Sequence, residues 1–328
     1  MDNLHALLDA NQAFALNGRD TTNHCPMALH ALHEMGATPL QLRQFFNHWQ
    51  RTHALPAGSP ALGEEEQQFV QQRQRLAIRM AGEGWLPTFE TLLEEGLSPA
   101  GGAFHPLIRL ACALENDHLG EQAAALAAWR CKPLILPEGV GVACRDISAL
   151  LGSLSAQWEG SHWPSEWITA RLRQVAADPR WPDSLPRTLD DDGDMLTQLA
   201  EAALSLYWQT RNFTVLHLVT GSRAAAIVAR HLPDELKGRW QTLVWQAVAA
   251  AYITVGAPAP GIQRWPDVAG LTWEQVLPLA IASRDDHVIK LVHCCWREQA
   301  STPHPSRYLA VAARAVGLLA TEGERVAG

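Results

Sequence analysis

The sequence predicts an all-α fold, a compact single domain of many helices. Three observations carry that prediction. Apolar residues recur at spacings of three and four, alanine and leucine are abundant, and alternating strand-like runs bounded by turn signals are scarce. At 328 residues the chain is long enough for a sizeable core, in one large domain or two small ones.

In chain order, the apolar spacing predicts helices over about 3–14, 26–35, 39–53, 64–80, 106–115 and 119–130. A second series covers about 166–176, 195–209, 212–231, 234–255, 272–282, 284–299 and 305–317, with ends good to two to four residues. Pro26 in "NHCPMALHALHE" and Pro106 in "HPLIRLACALE" suit first helical turns, where the missing N–H has no partner to lose. Residues 134–187 are the least regular, with "LPEGVGV", "GSHWPSEW" and "DPRWPDSLPRT" supplying turns. They could join two helical halves, about 1–133 and 188–328. Loops rich in Trp and Pro make poor flexible linkers, so one domain is the preferred expectation. No repeat of about 34 to 47 residues supports a solenoid.

Charge and composition narrow the partners. The 26 Lys+Arg against 34 Asp+Glu leave a net charge of -8 with no basic run, which argues against nucleic acid or an anionic membrane. A small-molecule ligand is expected. "MDNLHALLDANQAF" lacks the basic start and apolar core of a signal peptide, and no stretch approaches ~20 uninterrupted apolar residues, so a cytoplasmic location is expected. Six cysteines without repeated CxxC spacing read as reduced core residues. Thirteen tryptophans against three tyrosines leave many large rings at helix edges or beside proline, able to pack a core or line an aromatic pocket.

Familiar catalytic patterns fail one by one. "GVGVAC" lacks the third glycine and the acidic residue of a dinucleotide fingerprint, and no GxxxxGK[ST], GxSxG or HExxH occurs. "HALHE" places Glu34 after His33, the wrong order for an inverted zinc-protease motif. Two ExxH stretches, "ENDH" and "EGSH", would be needed for a di-iron bundle, but the second lies beside Gly160 and Pro164. No HxD or HxE opens a facial triad.

What remains is a set of histidines. In "SRDDHVIKLVHCCW", Val288, Ile289, Val292, Cys295 and Trp296 form an apolar face, while His287, Lys290, Leu291 and Cys294 share another. Periodicity alone favours a solvated stripe, with an Asp286 to Lys290 i, i+4 pair continued by His293 and Arg297. His217 lies in an apolar helix beside Thr220, Gly221, Ala224 and Val228, where small residues either admit a close neighbour or leave a cavity. His105 and His24 stand at helix entrances just before Pro106 and Pro26. Four neutral imidazoles from four separated segments could bind a transition metal such as iron or zinc, although spacing alone does not bring them together.

At these four places the chain resembles the questin oxidase-like family, through "NHCPMALHALHEMGA", "HPLIRLACALE", "TVLHLVTGSRAA" and "DDHVIKLVHCCWRE" in that order. The resemblance implies an oxygenase acting on a polycyclic aromatic or quinone-type substrate with O2 insertion and C–C cleavage, built around a buried central site. It implies iron(II), or zinc or another divalent metal, held by His24, His105, His217, His287 and a carboxylated Lys290. NADPH use is the family's alternative, in a metal-free Baeyer-Villiger-type monooxygenase. A helical binding protein with structural histidines is the non-enzymatic rival. Asp286 and Glu115 are candidates to orient imidazoles, with plain surface charge as the alternative reading, and Trp85, Trp245 and Trp296 are candidates to line the substrate pocket.

Overall fold

Caps and prolines set where the helices begin. The computed structural model describes residues 3–16, 23–60, 62–141, 145–186, 195–261 and 263–319. The first helices are α1 (Asn3–Asn11), α2 (Cys25–Glu34), α3 (Pro39–His53), α4 (Glu64–Glu83), α5 (Leu86–Glu94), α6 (His105–Glu115), α7 (Leu119–Cys131) and α8 (Ile147–Trp158). They are followed by α9 (Ile168–Ala177), α10 (Trp181–Ser184), α11 (Met195–Thr210), α12 (Phe213–Arg230), α13 (Asp234–Thr254), α14 (Trp273–Ala282), α15 (Asp286–Glu298) and α16 (Pro305–Ala315). No strand forms among the described residues; Phe14 with Pro56 and Leu97 with Ile135 make isolated bridges. Thr38 with Gln41 and Thr272 with Gln275 close capping boxes at α3 and α14. Asp146, Asn212 and Asp285 accept first-turn backbone N–H groups at α8, α12 and α15.

The helices α5, α8 and α10 fall outside the stretches that periodicity predicts. The sequence of α8, ISALLGSLSAQW, carries one glycine and three serines, residues of low helix propensity. It is held instead by its Asp146 cap and by burial of Leu150, Leu151, Leu154 and Trp158. Both α5 and α10 are short and open on a proline.

The described residues of this stretch, 134–141 and 145–186, are therefore packed structure rather than a linker. Trp158 and Trp181 are fully buried, and their indole N–H groups donate to Ser184 Oγ at 2.9 Å and to the Pro137 carbonyl at 2.8 Å. Helix α8 packs on α11 and α13, and α9 on α13. The two suggested halves also interlock: α6 lies on α12, and α2 on α15, around one continuous core. One all-α domain results. No helix among the described residues is long and apolar enough to cross a membrane.

Five described cysteines are free, with Cys25, Cys294 and Cys295 buried and Cys112 and Cys131 half-buried. Burial pushes these thiols up, Cys131 to about 11, so they remain protonated core groups. Cys144 lies outside the described residues.

Candidate metal centre

Four helices, α2, α6, α12 and α15, pack pairwise, and each contributes a histidine at or near its N-terminal end. His24 is the residue before α2, and Asn23 beside it fixes the entry by accepting the Cys25 N–H at 2.9 Å. His105 opens α6 after a 3-10 turn, Gly101–Phe104. Within that turn Gly102, Ala103 and Phe104 take φ of +56°, +57° and +66°, and left-handed backbone costs about 1–3 kcal/mol at each non-glycine residue. The arch turns the Gly102 carbonyl onto His105 Nδ1 at 2.8 Å. His217 lies in the second turn of α12, with Nδ1 2.8 Å from the Phe213 carbonyl. Asp285 caps α15 by accepting the His287 N–H at 2.8 Å, which sets the start of the helix carrying His287 and Lys290.

The four rings form a closed circuit. Centroid separations are 4.4 Å for His24 with His105, 4.7 Å for His105 with His217, 5.4 Å for His217 with His287 and 5.1 Å for His24 with His287. Ligand atoms of His24, His105 and His287 lie within 4.8 Å of one another, so these three could hold a metal ion. Asp285, Asp286 and His287 also meet that distance, but Asp285 is exposed and occupied as a cap.

An imidazole nitrogen 2.8 Å from a carbonyl oxygen must donate, so His105 and His217 both carry their proton on Nδ1 and a lone pair on Nε2. Their Nε2 atoms nevertheless face each other at 3.1 Å. Two lone pairs at that distance repel unless a cation lies between them. A proton is disfavoured as that cation: burial, followed by neighbouring imidazoles and Lys290, pulls both histidines well below their ordinary pKa. Burial and Lys290 also lower His287, and its Nε2 is buried with no hydrogen-bond partner. Two nitrogens at right angles around one ion, each ~2.0–2.2 Å from it, stand about 3 Å apart. The donor set fits a borderline divalent metal.

Asp286 ties the remaining groups together. Its Oδ2 lies 2.5 Å from His24 Nδ1 and 3.0 Å from Lys290 Nζ, and Nζ is 3.4 Å from His24 Nδ1. Burial would raise the Asp286 pKa, but Lys290 and the His24 hydrogen bond overcome it and hold the carboxyl ionised, well below the usual range. His24 is lowered to about 3, by burial first and Lys290 second, against the pull of Asp286. The i, i+4 pair of Asp286 and Lys290 thus forms, but not on a solvated stripe. Lys290 and His293 are both buried, because α15 turns that face toward α2 and α12.

Other expected groups lie elsewhere. Glu115 orients a different imidazole: its Oε2 is 3.0 Å from His30 Nε2, and its Oε1 accepts from Arg223 at 2.8 Å. Trp85 packs on Phe89 at 5.2 Å, Trp245 donates its indole N–H to the Pro186 carbonyl at 2.8 Å, and Trp296 stands 6.4 Å from His293. The aromatic ring against the histidine circuit is Phe213, 4.8 Å from His217 and 4.7 Å from His287 and 54% exposed. Its signal in the sequence was the spacing Phe213 to His217, one helical turn. A cavity of about 30 Å³ reaches Lys290 between Met27, Cys112, Thr220 and Arg223, room for ordered water rather than for a polycyclic ligand.

A scan of the chain against protein-family models and a search of curated proteins return no match. Fold and site define the class directly: an all-helical protein, among the described residues, with two buried histidines and one half-buried histidine placed so that they could hold a metal ion.

Proposed function

We propose that the chain is an oxidoreductase, a cytoplasmic non-haem oxygenase using iron(II), that inserts O2 into a polycyclic aromatic or quinone-type substrate with C–C cleavage. The observation that carries the metal is the pair of bare Nε2 atoms of His105 and His217, 3.1 Å apart with both Nδ1 protons committed to carbonyls. The oxygenase chemistry rests on the resemblance of the four histidine segments. His24, His105, His217 and His287 would hold the metal, with zinc or another divalent ion as the competing occupant.

Iron(II) would supply the redox chemistry that lets O2 react with an electron-rich arene. The chain's own groups prepare the site for it. The Gly102 and Phe213 carbonyls fix the tautomers of His105 and His217, and Asp286 holds the Nδ1 proton of His24 while offsetting positive charge. Lys290 is the fifth candidate ligand. Beside a divalent cation its ammonium would add repulsion that Asp286 only partly offsets, and carbamylation would replace that positive charge with a negative oxygen donor. Phe213 offers an exposed aromatic face for a planar substrate at the edge of the circuit.

The test is purification without a His-tag and under air-free conditions, followed by metal analysis, intact mass of native and Lys290→Ala protein, and O2 uptake with an anthrahydroquinone. Iron near one per chain, a native mass one CO2 heavier at Lys290 and substrate-dependent O2 uptake support the reading. Folded wild type that consumes O2 with substrate and NADPH while free of metal overturns it.

A further inference from the structure

The geometry points to Phe104 and Gly221 as positioning residues that set the spacing of His105 and His217, a wedge and its seat rather than ordinary packing. This deepens the metal-site reading and rests on it. Phe104 is bonded directly to His105, and it ends a run of three left-handed residues whose backbone has little freedom to move. Its ring is buried against α12 at Gly221, one helical turn beyond His217. A Cβ placed on Gly221 would stand 3.0 Å from Phe104 Cδ1, 3.3 Å from Cγ and 3.4 Å from Cβ. The start of α6 therefore sits on α12 at a separation set by the contact of the Phe104 Cβ and ring with the bare Cα of Gly221.

That separation fixes where the two Nε2 atoms meet. Metal–ligand distances tolerate displacement of about 0.2 Å. A methyl at Gly221 requires Phe104 to yield by a few tenths of an ångström, and the strained arch passes that shift to His105. Glycine is thus needed at 221 for close approach, its φ lying in the ordinary helical region.

The experiment is a double-mutant cycle on the full chain, with Co(II) as the probe, read by titration calorimetry and visible absorption, and with thermal melts of each metal-free variant. Gly221→Ala is expected to weaken Co(II) binding about tenfold or more, the scale of losing an orienting partner. In a Phe104→Ala background, where only an ordinary Cβ contact remains, Gly221→Ala is expected to cost nothing further. Equal losses in both backgrounds, or a lowered melting temperature with unchanged affinity, overturn the inference. If Gly221→Ala does not fold, Phe104→Leu replaces it, and unchanged Co(II) affinity in that variant is the contrary result. Wild type that binds no Co(II) removes the metal reading as well; wild type that binds it beside an equally competent Gly221→Ala removes this inference alone.

Discussion

Two groups of buried histidines use the same four helices and are wired in opposite ways. At one end of the junction His30 has oxygen partners at both nitrogens, Glu115 Oε2 at 3.0 Å and Asn116 Oδ1 at 3.1 Å. Arg223 closes that group by bridging Glu115 at 2.8 Å and Glu298 at 2.9 Å. At the other end His105 and His217 spend their protons on carbonyls and turn lone pairs on each other. In the first group His30, Glu115 and Arg223 pair with one another, and the buried Nε2 of His293, whose ring lies 5.2 Å from that of His30, has no hydrogen-bond partner but faces no second bare nitrogen at contact distance among the described residues. The second is short of positive charge at one point, and that shortage distinguishes a candidate ligand site from a structural one.

Removing Glu115 should have the largest effect. Glu115→Ala leaves His30 and Arg223 without their shared carboxylate, and should cost roughly 2–3 kcal/mol, somewhat below a fully buried pair because Glu115 keeps some contact with water. Chemical denaturation measures that loss. Metal bound per folded chain should not change, and a parallel fall in metal would show that the two groups are not separate.

Asp286→Ala probes the other end. Loss of the acceptor for His24 Nδ1 should weaken metal binding by about 10- to 100-fold, or about 1.4–2.7 kcal/mol. Competition titration against a chelator reads it directly. An unchanged affinity would mean that Asp286 serves Lys290 alone.

Acid should weaken the ring of neutral imidazoles. His24, His105 and His217 have pKa values lowered in the folded chain, His24 to about 3, whereas an unfolded histidine titrates near 6.5. Unfolded chain therefore binds more protons below pH 6.5, and stability present above that pH is lost as pH falls toward 3, at most about 1.4 kcal/mol per pH unit for each group. Metal-free His217→Leu should lose stability less steeply over this window. Identical slopes in equilibrium unfolding would contradict the assignment of buried neutral imidazoles.

The smallest effect belongs to Phe213. Phe213→Ala should leave metal content unchanged and raise KM for a polycyclic substrate by about three- to tenfold, the value of one aromatic contact. A change confined to kcat would move Phe213 from substrate docking to support of His217.

Much of this arrangement is legible in the chain itself. Apolar spacing locates the longer helices, and the wheel places His287 and Lys290 on one face. It does not say which face meets the protein, because α15 carries charged and apolar residues side by side and only the packing of α2 and α12 decides. Helix α8 is hidden by its serines and glycine until Asp146 and the buried Trp158 are seen to hold it. The pairing of Glu115 with His30 spans 85 residues, and no local pattern reports it. The opposed nitrogens of His105 and His217 are 112 residues apart, and they depend on a left-handed arch that "GGAFHP" marks only by its two glycines.

The most direct measurement is the metal content of untagged wild type beside His217→Leu and Glu115→Ala, each normalised to folded protein. About one divalent ion per chain in wild type and Glu115→Ala, with loss in His217→Leu, is the predicted result. Folded wild type without metal, or metal retained at full stoichiometry and affinity by His217→Leu, would contradict the account.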